Sequence, residues 1–227
     1  MYVCYVKKIV NLEPKLKTMP RKVVQGPIRD KEKTKQKLLN AVGKILKTKG
    51  YSGLMVSKIA AVAGFDKKLI YEYFGSTDKL IDEYIKSQDY WSRLDQKEMD
   101  VDFSDGGKEM SKMALINQFE GLKKNKELQK IIVWELSESR PALRKIFEKR
   151  EEVGEEMFKN ITDPHFGDGA EDFRAIAALL VGGIYHLNLY SAYNGTTFCG
   201  LDLKSEEGRS KIQKAITDII DFAYQRK

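Results

Sequence analysis

GYSGLMVSKIAAVAGFDKKLIYEYFGSTDKL, residues 50–80, is the stretch that decides the fold. Val56, Ile59, Ala60 and Ala63 recur at helical spacing and define a short helix over 56–63. Gly64 follows as a left-handed C-cap. Asp66 then caps a second short helix, Lys67–Phe74, by offering its carboxylate to the first free backbone N–H groups. Gly75-Ser76-Thr77 makes the next break, and Ser76 or Thr77 caps a helix running from about Asp78 past Trp91. Two short helices on a tight glycine turn form a helix-turn-helix, about residues 55–74. Upstream, Leu38, Val42 and Ile45 lie on one stripe of a helix over 30–48. Gly50 ends it, beside Lys47 and Lys49, whose charges suit a helix C-terminus.

Charge singles out the same region. The chain of 227 residues carries a formal net charge of +7. Residues 1–80 hold 18 Lys and Arg against 6 Asp and Glu, whereas residues 81–227 hold 22 against 27. A basic head on a mildly acidic body suits a polyanionic partner for the head. A solvated lysine-rich segment would give the same balance. Lys67 and Lys68 sharpen the choice: cations in a helix's first turn oppose the helix dipole, at roughly 0.3–1 kcal/mol on an exposed site. A phosphate or base edge in front of that helix reverses the sign.

The segment resembles the N-terminal domain of the TetR/AcrR family of transcriptional regulators. The resemblance rests on Gly50-Tyr51 after the first helix, the pair Ile59-Ala60, Ala63-Gly64 at the turn, Tyr71 to Phe74 ending the second short helix, and Leu80, all at the family's spacing. It is close over about residues 31–91; beyond that only length and helical layout agree. The resemblance implies that the Tyr71 hydroxyl meets a DNA phosphate and that Ile70 and Phe74 lock the recognition helix in place. It implies that Lys67, Lys68 and Leu69 face base edges in the major groove, lysine donating to guanine and leucine touching a thymine methyl. Tyr73, Ser57, Thr77, Lys79 and Lys33 complete the expected DNA-contacting set, with Glu72 beside them. Arg21, Lys22, Arg29 and Lys31 are expected near the backbone or minor groove.

The sequence departs from the family pattern at several of these positions. Met55 stands where the family has a Thr or Ser capping the first short helix. Lys68 replaces a small glycine, Leu69 a threonine, and Thr77 a lysine. These departures bear on individual contacts and on the operator sequence, not on the fold.

Downstream the spacing stays helical, over 108–124, 126–138, 141–161, 171–193 and 207–225, with breaks at Asp163-Pro164 and Asn194-Gly195. The expected fold is therefore all-α, about nine helices. It comprises a flexible basic segment (1–29), a helix-turn-helix domain (30–91), and a helical effector-binding and dimerisation domain (92–227), entered through the acidic, turn-rich stretch 95–107. The helix 171–193 is apolar on more than one face, which predicts burial. Its small residues Ala178, Gly182 and Gly183 allow close approach of another helix. Ile212, Ala215, Ile216, Ile219 and Ala223 stripe the last helix. The family resemblance implies a homodimer through these last two helices, reading a palindromic operator with recognition helices ~34–36 Å apart.

An effector pocket, for an apolar small molecule, is expected among Met110, Met113, Phe119, Trp134, Phe147, Met157, Phe158, Tyr185, His186 and Tyr190. At helical spacing the same residues serve as plain core. The expected function is a ligand-released repressor, with no cofactor and no metal. The alternatives are a helical protein-binding adaptor without DNA binding and, further off, a helical enzyme. Glu151, Glu152, Glu155 and Glu156 offer paired carboxylates, but neither His165 nor His186 stands at metal-ligand spacing from another ligand. Cys4 and Cys199 form no motif, which fits a reducing cytoplasm. The longest apolar run, Ala175–Tyr185, is short of the ~20 residues of a membrane span. The N-terminus lacks a signal peptide's features, and Met19 is read as the start, residues 1–18 being an upstream extension.

Overall fold

A computed structural model describes residues 27–88 and 103–226. In chain order the elements are α1 (Pro27–Lys49), a single tight turn Tyr51–Gly53, α2 (Val56–Ala63), α3 (Lys68–Phe74), α4 (Thr77–Ser87), α5 (Lys108–Lys124), α6 (Lys126–Ser137) and α7 (Pro141–Met157). A wide helical turn (Phe158–Thr162), α8 (Asp163–Phe166), α9 (Ala170–Tyr193), β1 (Thr197–Phe198), β2 (Leu201–Asp202) and α10 (Glu206–Gln225) follow. The fold is all-α apart from the two-residue hairpin of β1 and β2. Arg21, Lys22 and residues 89–102, which include most of the expected connector, lie outside the described residues, as does the side chain of Arg29.

Two compact units divide the chain. Of the described residues, one unit takes 27–88 together with 126–147; the other takes 103–125 with 148–226. The sequence reading placed the whole of 92–227 in the body, whereas 126–147 groups with the helix-turn-helix. Periodicity shows which face of a helix is apolar but not which neighbour that face meets.

In the first unit Leu38, Val42, Ile45 and Leu46 of α1 are buried with Ile59, Ile70, Leu80, Ile85, Leu128 and Ile131. α1 and α4 cross closely at Gly43, where a Cβ would fall 2.5 Å from the Tyr84 hydroxyl and 2.9 Å from its ring. That hydroxyl donates to Oε1 of Glu127 on α6. Lys47 Nζ, from α1, lies 2.8 Å from the other Glu127 oxygen. Glu127 is 3% exposed, and its carboxylate meets partners from two other helices, as a buried acidic group must. Arg140 extends the same tie: its Nε donates to Asp82 Oδ1 at 2.7 Å, and an NH2 to the Asp78 carbonyl at 3.1 Å. Tyr51 stacks on Trp134, centroids 5.5 Å apart and planes 8° off parallel.

The second unit is built on α5, against which α9 and α10 both pack. Leu115, Phe119, Phe173, Ile184, Ile216 and Ile220 form its core. Arg209 of α10 is buried, donating from Nε to Glu120 Oε1 at 2.9 Å and from NH2 to the Phe119 carbonyl at 3.0 Å. Burial acts to raise the Glu120 carboxyl's pKa, but Arg209, with Gln213, outweighs it and holds the group below the ordinary value.

Three local features differ from expectation. Asp163-Pro164 is not a break: the chain stays helical through the wide turn at Phe158–Thr162 into α8, whose first turn Pro164 occupies. A proline is tolerated in the first turn of a helical segment. The hairpin after α9 is too short to show strand alternation; its turn places Cys199 at φ 49° and Gly200 at φ 78°. Finally, α9 is buried along one face only, through Phe173, Ala177, Ile184, Asn188 and Ser191. Ala175, Ala178, Leu179, Gly182 and His186 are exposed. The continuous helical stretch Pro141–Tyr193 contains a window long and apolar enough to cross a membrane, by length and composition only, with 11% of it buried in the chain. The count of unbroken apolar residues had missed it, because the window tolerates isolated polar residues.

Candidate nucleic-acid interface

The interface is assembled by two short helices with opposite demands on their faces. Gly64 adopts φ 75°, ψ 31°, the left-handed conformation that turns the chain from α2 toward α3 without a Cβ penalty. Asp66 Oδ1 accepts the Lys68 backbone N–H at 2.7 Å, so the cap expected at Asp66 is present. The helix proper starts at Lys68, with Lys67 in the turn before it. Ile70 is fully buried and Phe74 is 7% exposed, which fixes one face of α3 on the core.

The other face is open. Lys67, Lys68 and Glu72 are exposed, and Tyr71 is 49% exposed. Leu69 is half-buried at the edge. Tyr73 is half-buried too, and the Lys31 ammonium stands 5.2 Å from its ring centroid. Such a cation–π contact holds the N-terminal part of α1 beside α3. Ser57 and Lys58 of α2 and Lys33 of α1 are exposed. Ser76 caps α4, its Oγ accepting the Lys79 N–H at 3.1 Å, which leaves Thr77 as the first helical residue and half-buried. The Lys79 side chain is exposed. Met55 precedes α2 without a side-chain cap and is 53% exposed, the physical counterpart of the missing Thr or Ser.

The result is a surface of ammonium groups, a phenol hydroxyl and small hydroxyls around a protruding helix. Lysines supply sequence-independent attraction to phosphates, and a short helix is a shape that enters a major groove.

The residues expected to line an effector pocket do not gather in one place. Trp134 and Phe147 group with the helix-turn-helix unit, Trp134 under Tyr51. Met110 and Met157 pack with Ile161 in a small cluster of the body, while Phe119 belongs to its main core and Phe158 packs against it. Met113 is half-buried. His186 is exposed rather than in the core, in ring contact with Tyr190 and with Phe198 of the hairpin. Tyr185 meets one buried and one half-buried polar group: Gln118 Nε2 donates to its hydroxyl at 3.0 Å, and Arg150 donates to the same oxygen. Gln118 and Arg150 escaped the sequence reading because a polar residue on a helix looks solvated whichever way it points. Among the described residues, no group of three or more His, Cys, Asp or Glu is placed to hold a metal ion.

Residues 38–84 match the family model described as bacterial regulatory proteins, tetR family. Among solved structures, the fatty acid degradation regulator FadR from Bacillus halodurans is similar over 86% of this chain and 97% of its own, at 18% identity and a TM-score of 0.48. No curated protein matches.

Proposed function

We propose that this chain, whose N-terminal domain is that of a TetR-family transcriptional regulator, works as a dimeric repressor that a small-molecule effector releases from a palindromic operator. The observation that carries the reading is α3 itself. Its apolar residues Ile70 and Phe74 are buried while Lys67, Lys68 and Tyr71 stand in solvent. A helix buried all round, or one with its lysines turned inward, would have no use on DNA.

Dimerisation is supported by apolar side chains that one chain leaves in water. Leu179 is 79% exposed on α9, and Ile219 and Phe222 are 41% and 55% exposed on α10. Large exposed apolar residues in rows mark an interaction face. We assign the face to a second copy rather than to lipid, acting in the cytoplasm where the operator lies. Release would be a population shift: an effector that favours the form with misplaced recognition helices lowers DNA affinity by its differential affinity for the two forms.

The test uses the full chain and a duplex from just upstream of its own coding region. Affinity should fall steeply as salt rises. Lys67→Ala combined with Tyr71→Phe should weaken binding by roughly 1–3 kcal/mol, with an unchanged thermal melt. Equal affinity in the double variant would refute the assignment of α3, and absence of salt-dependent DNA binding would favour a protein-binding adaptor.

A further inference from the structure

The second unit brings polar groups together at one point: Gln118 from α5, Arg150 from the part of α7 it contains and Tyr185 from α9. Gln118 is 9% exposed. Its Nε2 donates to Tyr185 Oη at 3.0 Å, whereas its Oε1 is buried and accepts no hydrogen bond. Exchanging the amide's two ends would let Oε1 accept from the phenol and leave Nε2 orphaned instead. Either way one end of a buried amide is unsatisfied, a state that native interiors avoid unless something else completes it.

What surrounds the amide describes the missing group. Arg150 donates from NH1 to Tyr185 Oη, and its guanidinium carbon lies 5.4 Å from the Tyr185 ring centroid. Its Nε donates to Glu151 Oε1 at 3.0 Å, and NH2 reaches the same oxygen. The Glu151 side chain is 69% exposed, so this counter-ion sits mostly in water and is exchangeable. Burial pushes the Tyr185 phenol's pKa up, against the pull of Arg150, so the hydroxyl keeps its proton. The positive charge and the phenol call for an anionic oxygen. The unsatisfied end of the Gln118 amide, beside them, calls for a hydroxyl, which can donate to Oε1 or accept from Nε2. The same helices α5 and α9 contribute Leu115, Phe119 and Ile184 to the adjoining apolar core, against which Tyr185 packs.

We propose that Gln118, Arg150 and Tyr185 form the polar end of the effector site, and that the effector is an apolar monocarboxylate bearing a hydroxyl close to its carboxylate. The carboxylate takes Arg150 and Tyr185, displacing Glu151, and the hydroxyl satisfies the free end of Gln118. This deepens the regulator reading and rests on it.

The test follows the thermal melt of the full chain with two sets of probes: 3-hydroxydecanoate, decanoate and methyl 3-hydroxydecanoate; phenyllactate, 3-phenylpropanoate and methyl phenyllactate. A ligand that binds only the folded form raises Tm with concentration. In at least one set the hydroxy acid should raise Tm most, the plain acid less and the ester least. Gln118→Met should erase the difference between hydroxy acid and plain acid without lowering the Tm of the unliganded protein. Arg150→Gln should erase the difference between acid and ester. The proposal is overturned if neither hydroxy acid raises Tm, if the esters act as well as the acids, or if Gln118→Met lowers the unliganded Tm, which would make the amide a structural tie. The duplex assay separates the two levels. Salt-dependent DNA binding with no response to the acids removes only this site; Tm shifts without DNA binding keep the site and remove the repressor.

Discussion

Gly43 is where a single atom matters most in the helix-turn-helix unit. The Tyr84 ring occupies the space a Cβ would need, and its hydroxyl must pass α1 to reach Glu127. Gly43→Ala should therefore lower stability, by about 1–3 kcal/mol for an overpacked interior, despite alanine's better helix propensity. Chemical denaturation measures it; a gain in stability would mean that α1 and α4 have slack at their crossing. The side chains of α3 were legible because burial there follows spacing: Ile70 and Phe74 are four apart and both point inward. The Gln118 amide was not, because its significance lies in a hydrogen bond it fails to make, and sequence carries no trace of that. Glu127 was overlooked for a related reason: a carboxylate in a first helical turn reads as an ordinary dipole partner, yet it is almost completely buried.

Helices came through from sequence with boundaries mostly within a few residues, since caps and periodicity are local. Ser76 illustrates the local rule. Its Oγ accepts the Lys79 backbone N–H three residues on, whereas Asp66 before α3 accepts the N–H two residues on. Ser76→Ala should cost about 1 kcal/mol, read as a lower midpoint of denaturation, with the loss confined to the unit that contains α4. An unchanged midpoint would place the stability of that terminus elsewhere, in the Arg140 contacts with Asp78 and Asp82. Non-local features were not legible. The hairpin at Thr197–Asp202 has strands of two residues, too few for an alternating pattern. The proline at 164 reads as a stop, yet it sits in the first turn of α8. The partners of α6 are residues some 40 to 80 positions earlier in the chain, and its apolar stripe fits either unit equally well.

At the scale of the molecule, the proposed dimer rests on the exposed rows of α9 and α10. Leu179→Glu with Phe222→Glu should convert a dimer to a monomer in sedimentation, and DNA affinity should fall with it because two half-sites are then bound independently. Both side chains are exposed in one chain, so the monomer should keep its helical circular dichroism. A dimer that survives both charges would move the interface to another face; a wild-type protein that instead partitions onto lipid vesicles would assign the α9 window to a membrane. Consequences also follow for anyone who would recombine domains of this kind. The unit containing the helix-turn-helix is assembled from two separated lengths of chain, 27–88 and 126–147 among the described residues, joined through Glu127, Trp134 and Arg140. A chimera made with one crossover near residue 89 strands those three side chains in the wrong parent. Transplanting the module intact requires a double splice that carries the second length along with the first.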